Sequence, residues 1–251
     1  MRSAKDEETG NQAGIHTLPE PSKDCRVGIV VQARMGSSRL PGKVLMRIRN
    51  RTLLGYLVEG CRTVQDSLVL CVATSTEVPD DAIAQHCAEI GVECYRGPHE
   101  DVAGRYLGAA AAHNLDAVVR ISADSPLIPP SLIDELIGQY RAVAGCDLTT
   151  NVLRRTYLSG MSVEVIRTLA LARAYPLMTA EQREHVTPFF YAHRDDFCIV
   201  SVERSAPLEG GKLSVDTAGD FALIKALIER LQKAHSEYSV EELAELSLLP
   251  P

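Results

Sequence analysis

The feature that most constrains this chain is the apolar run Val27-Gly28-Ile29-Val30-Val31, which opens directly into the loop Gln32-Ala33-Arg34-Met35-Gly36-Ser37-Ser38-Arg39-Leu40-Pro41-Gly42-Lys43. A short, largely β-branched run of this kind reads as a buried strand of a parallel sheet. In open α/β sheets ligands bind beyond the carboxyl ends of the strands, which is where this loop falls. Its chemistry suits an anion. Gly36 and Gly42 permit close backbone approach, Ser37 and Ser38 offer hydroxyl and amide donors, and Arg34, Arg39 and Lys43 supply positive charge. Arginine forks and a compact ammonium together match a polyphosphate better than a single carboxylate.

The loop matches neither common glycine fingerprint. In G-x-x-x-x-G-K-[ST] the glycines lie five residues apart, whereas Gly42 follows Gly36 by six, and Val44 stands where a magnesium-binding hydroxyl is needed. No G-x-G-x-x-G is present in the loop. Walker-type ATPases and dinucleotide dehydrogenases are therefore disfavoured.

Strand and helix signals alternate downstream of the loop. Leu53, Leu54, Leu57, Val58, Cys61 and Val64 predict a helix over about 52–65, and a strand is predicted at 68–73. A helix from Asp80 or Asp81 to Gly91, a strand at 92–95, an alanine-rich helix over 101–114, a strand at 117–121 and a helix over 131–144 follow. This alternation predicts right-handed parallel crossovers. Further strands are predicted at 147–151, 162–166, 197–202 and 212–215, as antiparallel additions. Thr179-x-x-Gln182 and Ser239-x-x-Glu242 read as capping boxes, and a last long helix is predicted over 217–234. No low-complexity linker interrupts residues 26–251, which are read as one domain, with 1–25 as a polar, disordered extension.

A net charge of −7 and only 5% aromatic residues argue against nucleic acid as partner. The seven cysteines form no C-x-x-C pair and read as reduced core residues. With no signal or membrane-spanning stretch, a cytoplasmic location is expected. Asp124 and Asp216 each follow a predicted strand, so both should face the carboxyl edge of the sheet. Either alone could be a helix cap. Together with the cationic loop they suit magnesium, which takes one or two carboxylates plus phosphate oxygens.

Four separated stretches carry a family resemblance: the loop 32–43, Arg120-Ile121-Ser122-Ala123-Asp124-Ser125-Pro126-Leu127, Arg183-Glu184-His185-Val186-Thr187-Pro188 and Val215-Asp216-Thr217-Ala218-Gly219-Asp220-Phe221. In this order they resemble the cytidylyltransferases, most closely the spore coat polysaccharide biosynthesis protein F group and more distantly the CMP-KDO and CMP-acylneuraminate synthetases. The resemblance implies a Rossmann-like nucleotidyltransferase fold and transfer of CMP from CTP to a small acceptor, with Mg2+ as cofactor and pyrophosphate released. It places Arg34, Ser38, Arg39 and Lys43 on the triphosphate loop, with Arg34, Arg39 and Lys43 as catalytic cations, and Gln32, Ala33, Met35, Gly36 and Ser37 are expected to bind nucleotide beside them. Asp124 and Asp216 fall on the metal positions. Asp101 and Arg105, within Arg96-Gly97-Pro98-His99-Glu100-Asp101-Val102-Ala103-Gly104-Arg105, fall beside base and ribose.

The resemblance puts Glu184 and His185 near the sugar side, where they could contact the acceptor or a second metal, although Glu and His also suit the solvated face of a helix over 179–187. Arg154, Arg155 and Tyr157 could reach an anionic acceptor from their loop. The chain has Ser-Ala-Asp-Ser-Pro where CMP-KDO synthetases carry Gln-Gly-Asp-Glu-Pro, which leaves the acceptor open among sugar acids, sugars and phosphonates. Relatives imply a homodimer. Three alternatives stay open: another nucleoside triphosphate, a related glycosyltransferase with Asp195-Asp196 as its nearest approach to an acidic metal motif, and a regulator that binds nucleotide without catalysis.

Overall fold

The structure is a computed structural model describing residues 25–249. Its first strand, β1 (Val27–Gln32), is buried along all but its last residue. A short hairpin, β2 (Arg47–Ile48) and β3 (Arg51–Thr52), leads into α1 (Leu53–Cys61), whose first turn is capped by the Thr52 hydroxyl accepting from the Gly55 amide. The chain continues through β4 (Val69–Ser75), α2 (Asp81–Glu89), β5 (Glu93–Gly97), α3 (Val102–Ala112), β6 (Ala117–Ser122) and α4 (Pro130–Ala142). The second half adds β7 (Leu148–Thr150), β8 (Glu164–Arg167), α5 (Thr168–Ala174), α6 (Ala180–His185), α7 (Thr187–Ala192), β9 (Ile199–Ser201), α8 (Ala218–Arg230) and α9 (Val240–Ser247).

Seven strands form one sheet in the order β5-β4-β1-β6-β8-β7-β9. β1 lies between β4 and β6, parallel to both, with Gln32 opposite Ala73 and Ser122. β8 pairs antiparallel with both β6 and β7, while β7 and β9 run parallel to each other. The expected mostly parallel α/β sheet is present, and its antiparallel element is the single strand β8.

Alternate residues of β1 feed two cores, as the pleat requires. Ile29 and Val31 pack with α1, α4, α8 and α9 through Leu57, Leu136, Ile224 and Leu243. Val30 packs on the other face with Tyr106, Leu171 and Phe190 of α3, α5 and α7. The capping boxes at Thr179 and Ser239 form as predicted. The strand predicted at 212–215 does not. There the Leu213 and Val215 amides donate to the Ser159 and Asp124 carbonyls at 2.7 and 2.8 Å, so this segment is tied between two loops instead of joining the ladder. The final long helix stops at Arg230 rather than 234, where Leu231 turns to extended backbone.

The expectation for the amino-terminal extension falls outside the described residues except for Cys25, which is buried. Five of the seven cysteines are buried, whereas Cys94 is half-buried and Cys198 exposed. Among the described residues no helix is long and apolar enough to cross a membrane.

Candidate active site

At the carboxyl edge of the sheet the loop after β1 folds back on itself, with the Ser37 and Gly42 amides both donating to the Met35 carbonyl at 2.9 Å. Gly42 adopts φ 71, which glycine tolerates at little cost, and starts the short helical turn Lys43–Leu45. The base of the loop is held by Asp80. This buried carboxylate accepts from the Met35 amide at 2.7 Å through one oxygen, and from the Ser75 amide and hydroxyl through the other. The sequence marks Asp80 only as a possible helix start, because its partners lie on other elements.

Asp124 is set by β6: the Ala123 amide donates to the Gln32 carbonyl at 2.9 Å, fixing the chain as it leaves the sheet. Asp216 immediately precedes the capped first turn of α8 and is brought beside Asp124 by the Val215 to Asp124 backbone bond. Lys43 joins the two. Its Nζ donates to Asp124 Oδ2 at 2.8 Å, Asp216 Oδ1 at 3.1 Å and the Val215 carbonyl at 2.7 Å, which uses all three ammonium hydrogens.

Two further cations meet Asp216. Arg39 Nη2 lies 3.1 Å from its Oδ1, and Lys212 Nζ lies 2.6 Å from its Oδ2. Lys212 is itself anchored on Asp220 Oδ2 at 2.7 Å, and that same oxygen accepts from the Asp216 and Thr217 amides, each at 2.9 Å. Partial burial raises the Asp216 carboxyl, but the hydrogen bonds and charges of Lys212 and Lys43 outweigh it and hold the group below the ordinary carboxylate range. Asp220 is likewise raised by burial and lowered more strongly by Lys212 and the backbone amides, to about 2. The sequence does not mark Lys212 or Asp220 as site residues: Lys212 stands outside every motif, and Asp220, although inside the stretch 215–221, acts through Asp216.

The cleft encloses about 210 Å3 and is lined by Gln32, Arg34, Gly36, Ser37, Ser38, Arg39, Lys43, Val44, Ser122, Ala123, Asp124 and Asp216. The phosphate-loop candidates and both candidate metal carboxylates thus converge. Ala33 and Met35 do not line it: Ala33 is buried against the core, and Met35 contributes backbone to the loop turn.

Arg105 is also outside the cleft. It is buried, and its guanidinium donates to the Pro98 and His99 carbonyls, while Asp101 caps α3 and accepts from the Tyr175 hydroxyl at 2.6 Å. Both therefore shape the loop 97–101, whose His99 ring packs beside Gly36. Glu184 reaches the rim through an ion pair with Arg34 at 2.9 Å, which holds its carboxyl below the usual range. The chain turns sharply just beyond it at buried Val186, with φ 66 and ψ −73, a strained conformation for a β-branched residue. His185 is exposed. Arg154 pairs with Glu203 and Tyr157 packs beside Arg204, so neither side chain lines the cleft, and Arg155 is exposed. Asp195 and Asp196 sit beyond α7, also outside it.

Among the described residues no group of three or more His, Cys, Asp or Glu side chains could hold a metal ion. The protein's own offer to a divalent cation is the pair Asp124 and Asp216. The Lys43 ammonium bridging them shows that this spacing accommodates a cation. Such a pair fits a magnesium-like ion whose remaining ligands are phosphate oxygens and water.

A doubly covered, mostly parallel sheet with a cationic loop and two acids at its carboxyl edge belongs to a protein that binds a polyphosphate, with its metal, beyond the ends of its strands. Comparison with known proteins narrows this. The family model for cytidylyltransferases matches residues 28–247. The spore coat polysaccharide biosynthesis protein SpsF of Bacillus subtilis is 31% identical over 80% of this chain and 85% of its own. A cytidylyltransferase from Leptospira borgpetersenii superposes with a TM-score of 0.84 at 29% identity, over 88% of this chain and 93% of that one. A CMP-KDO synthetase described in complex with CTP shares the fold, with a TM-score of 0.64 at 19% identity over 82% of this chain and 99% of its own. The chain belongs to the cytidylyltransferase family.

Proposed function

We propose that this enzyme transfers CMP from CTP to a small acceptor, a sugar acid, sugar or phosphonate, with Mg2+ as cofactor and release of pyrophosphate. The observation that carries the reading is the Lys43 ammonium within 2.8 and 3.1 Å of Asp124 and Asp216, inside a cleft walled by Arg34, Ser38 and Arg39. An acceptor oxygen attacks the α-phosphorus in line. The new P–O bond forms as the α–β bridging P–O bond breaks, pyrophosphate departs with the bond's electron pair, and the acceptor's proton is released. This chemistry needs orientation and charge neutralisation more than covalent participation.

Lys43, Arg34 and Arg39 orient the triphosphate tail and offset the negative charge that builds on pyrophosphate. Asp124 and Asp216 would hold the divalent ion, which when bound polarises phosphate oxygens. Ser37 and Ser38 offer donors to the same tail. Glu184, freed from Arg34 when phosphate takes its place, and His185 beside it are the candidate acceptor contacts. The resemblance also implies a homodimer, which sedimentation equilibrium reads directly.

The test is pyrophosphate release with CTP, ATP, GTP and UTP against a panel of sugar acids, sugars and phosphonates. Release with CTP alone is the expected pattern. K43M and D124N should each lower turnover by roughly a hundredfold or more, the scale for losing one preorganised charge-stabilising group. CTP binding without release for any acceptor would instead mark a nucleotide-binding regulator, and near-normal turnover in both variants would overturn the site assignment.

A further inference from the structure

We infer that Lys43 has a second role beyond meeting phosphate: its ammonium is a tethered cation that closes the metal position until a nucleotide arrives, so that the divalent ion joins the protein with the triphosphate and not before it. The inference deepens the proposed function and rests on it for the identity of the nucleotide, but its core is a property of the free protein.

Three observations carry it. First, Nζ lies between Asp124 and Asp216 at 2.8 and 3.1 Å and also bonds the Val215 carbonyl at 2.7 Å, so every ammonium donor is spent on the edge a metal would use. Second, the cluster is charge-balanced: Lys43, Arg39 and Lys212 stand against Asp124, Asp216 and Asp220. A bare divalent ion meets no net attraction there and must displace a cation from two carboxylates. Third, the lysine side chain is 10% exposed and sprouts from a turn fixed by Gly42, while its four-carbon stem is flexible. The head can therefore leave the aspartates without the backbone moving.

A triphosphate changes the balance. Its oxygens offer Lys43 and Arg39 an alternative partner of higher charge in the same cleft, and once both turn to them Asp124 Oδ2 and Asp216 Oδ1 come free, with Lys212 still on Asp216 Oδ2, just as phosphate oxygens become available to complete a metal's shell. Nucleotide and metal should therefore bind with strong positive coupling, and reciprocity requires that each tighten the other.

Mn2+ titration of the nucleotide-free protein, followed by electron paramagnetic resonance of the free ion, tests this without any turnover. Wild type, K43M, K43Q and the double variant K43M/D124N are compared, each verified as folded by circular dichroism. K43Q is included because its amide keeps donors for the aspartates if K43M fails to fold. Removal of the ammonium should tighten Mn2+ binding at least tenfold over wild type, and D124N should abolish the gain. A gain below tenfold in the folded variants, or one that survives D124N, overturns the inference. A protein that binds no CTP under any condition would sink the proposed reaction while leaving the Mn2+ comparison decisive for Lys43.

Discussion

Asp220 concentrates three donors on one carboxylate oxygen: the Lys212 ammonium and the amides of Asp216 and Thr217. Its carboxyl titrates near 2, below the ordinary value of 3.8, so the folded state favours the ionised form. A depressed carboxylate contributes stability that is full above the unfolded value and is lost as pH falls through the folded one. D220N should therefore cost about 1 kcal/mol at pH 7, the usual scale for a weakened helix-terminal carboxylate. Urea denaturation at pH 7, 5, 4 and 3 should show the gap between variant and wild type steady down to about pH 4 and shrinking below it. A gap independent of pH would mean that the charge contributes nothing. At this scale the sequence was legible where chemistry and position coincided, as at Lys43, Asp124 and Asp216. It was silent where a side chain works through a partner remote in sequence, as Asp80 does for Met35, and misleading for Arg105, which is buried with its Nη1 turned onto two backbone carbonyls.

Among the elements, the clearest disagreement between pattern and structure is the segment 212–215. Leu213 and Val215 alternate with polar residues as a half-buried strand should, and both side chains are indeed buried. Burial fixed the alternation while the hydrogen bonds went elsewhere, to Ser159 and Asp124, with the loop at 159–160 in close approach. Gly160 makes that approach possible. At φ 99, a Cβ there would lie 2.4 Å from the Leu213 carbonyl carbon and 2.5 Å from the Ser214 nitrogen. G160A should therefore destabilise the fold by roughly 2 kcal/mol or more through combined backbone strain and overlap. It should also weaken CTP binding, since the displaced segment carries Asp216. G138A, inside α4 with nothing near the added methyl, should be stabilising by about 0.5–1 kcal/mol. Guanidinium denaturation of both variants separates these outcomes; equal effects would show that the contact at Gly160 relaxes freely. The parallel strands were easier to read, because strands covered on both faces need only continuous apolar runs.

Across the whole molecule, the site is a closure of the chain on itself: Lys43 reaches Asp124 over 81 residues and Asp216 over 173. A ligand that engages all three must tie the loop after β1, the end of β6 and the start of α8 into one cooperative unit. CTP with Mg2+ at a hundred times its dissociation constant should raise the unfolding free energy by about 2.7 kcal/mol. For a chain of this size that is a rise of roughly 5–10 °C in melting temperature. ATP and GTP at the same concentration should give a smaller shift, and CTP without divalent ion an intermediate one, because the two carboxylates then repel the phosphate tail that Lys43 attracts. Hydrogen exchange locates the effect. Slowing should appear together in residues 33–45, 122–126 and 212–220, since none of these segments can hold the nucleotide alone. Protection confined to the amino-terminal loop would mean that phosphate binds there without drawing in the acids, and the convergence seen in the fold would then have no part in binding.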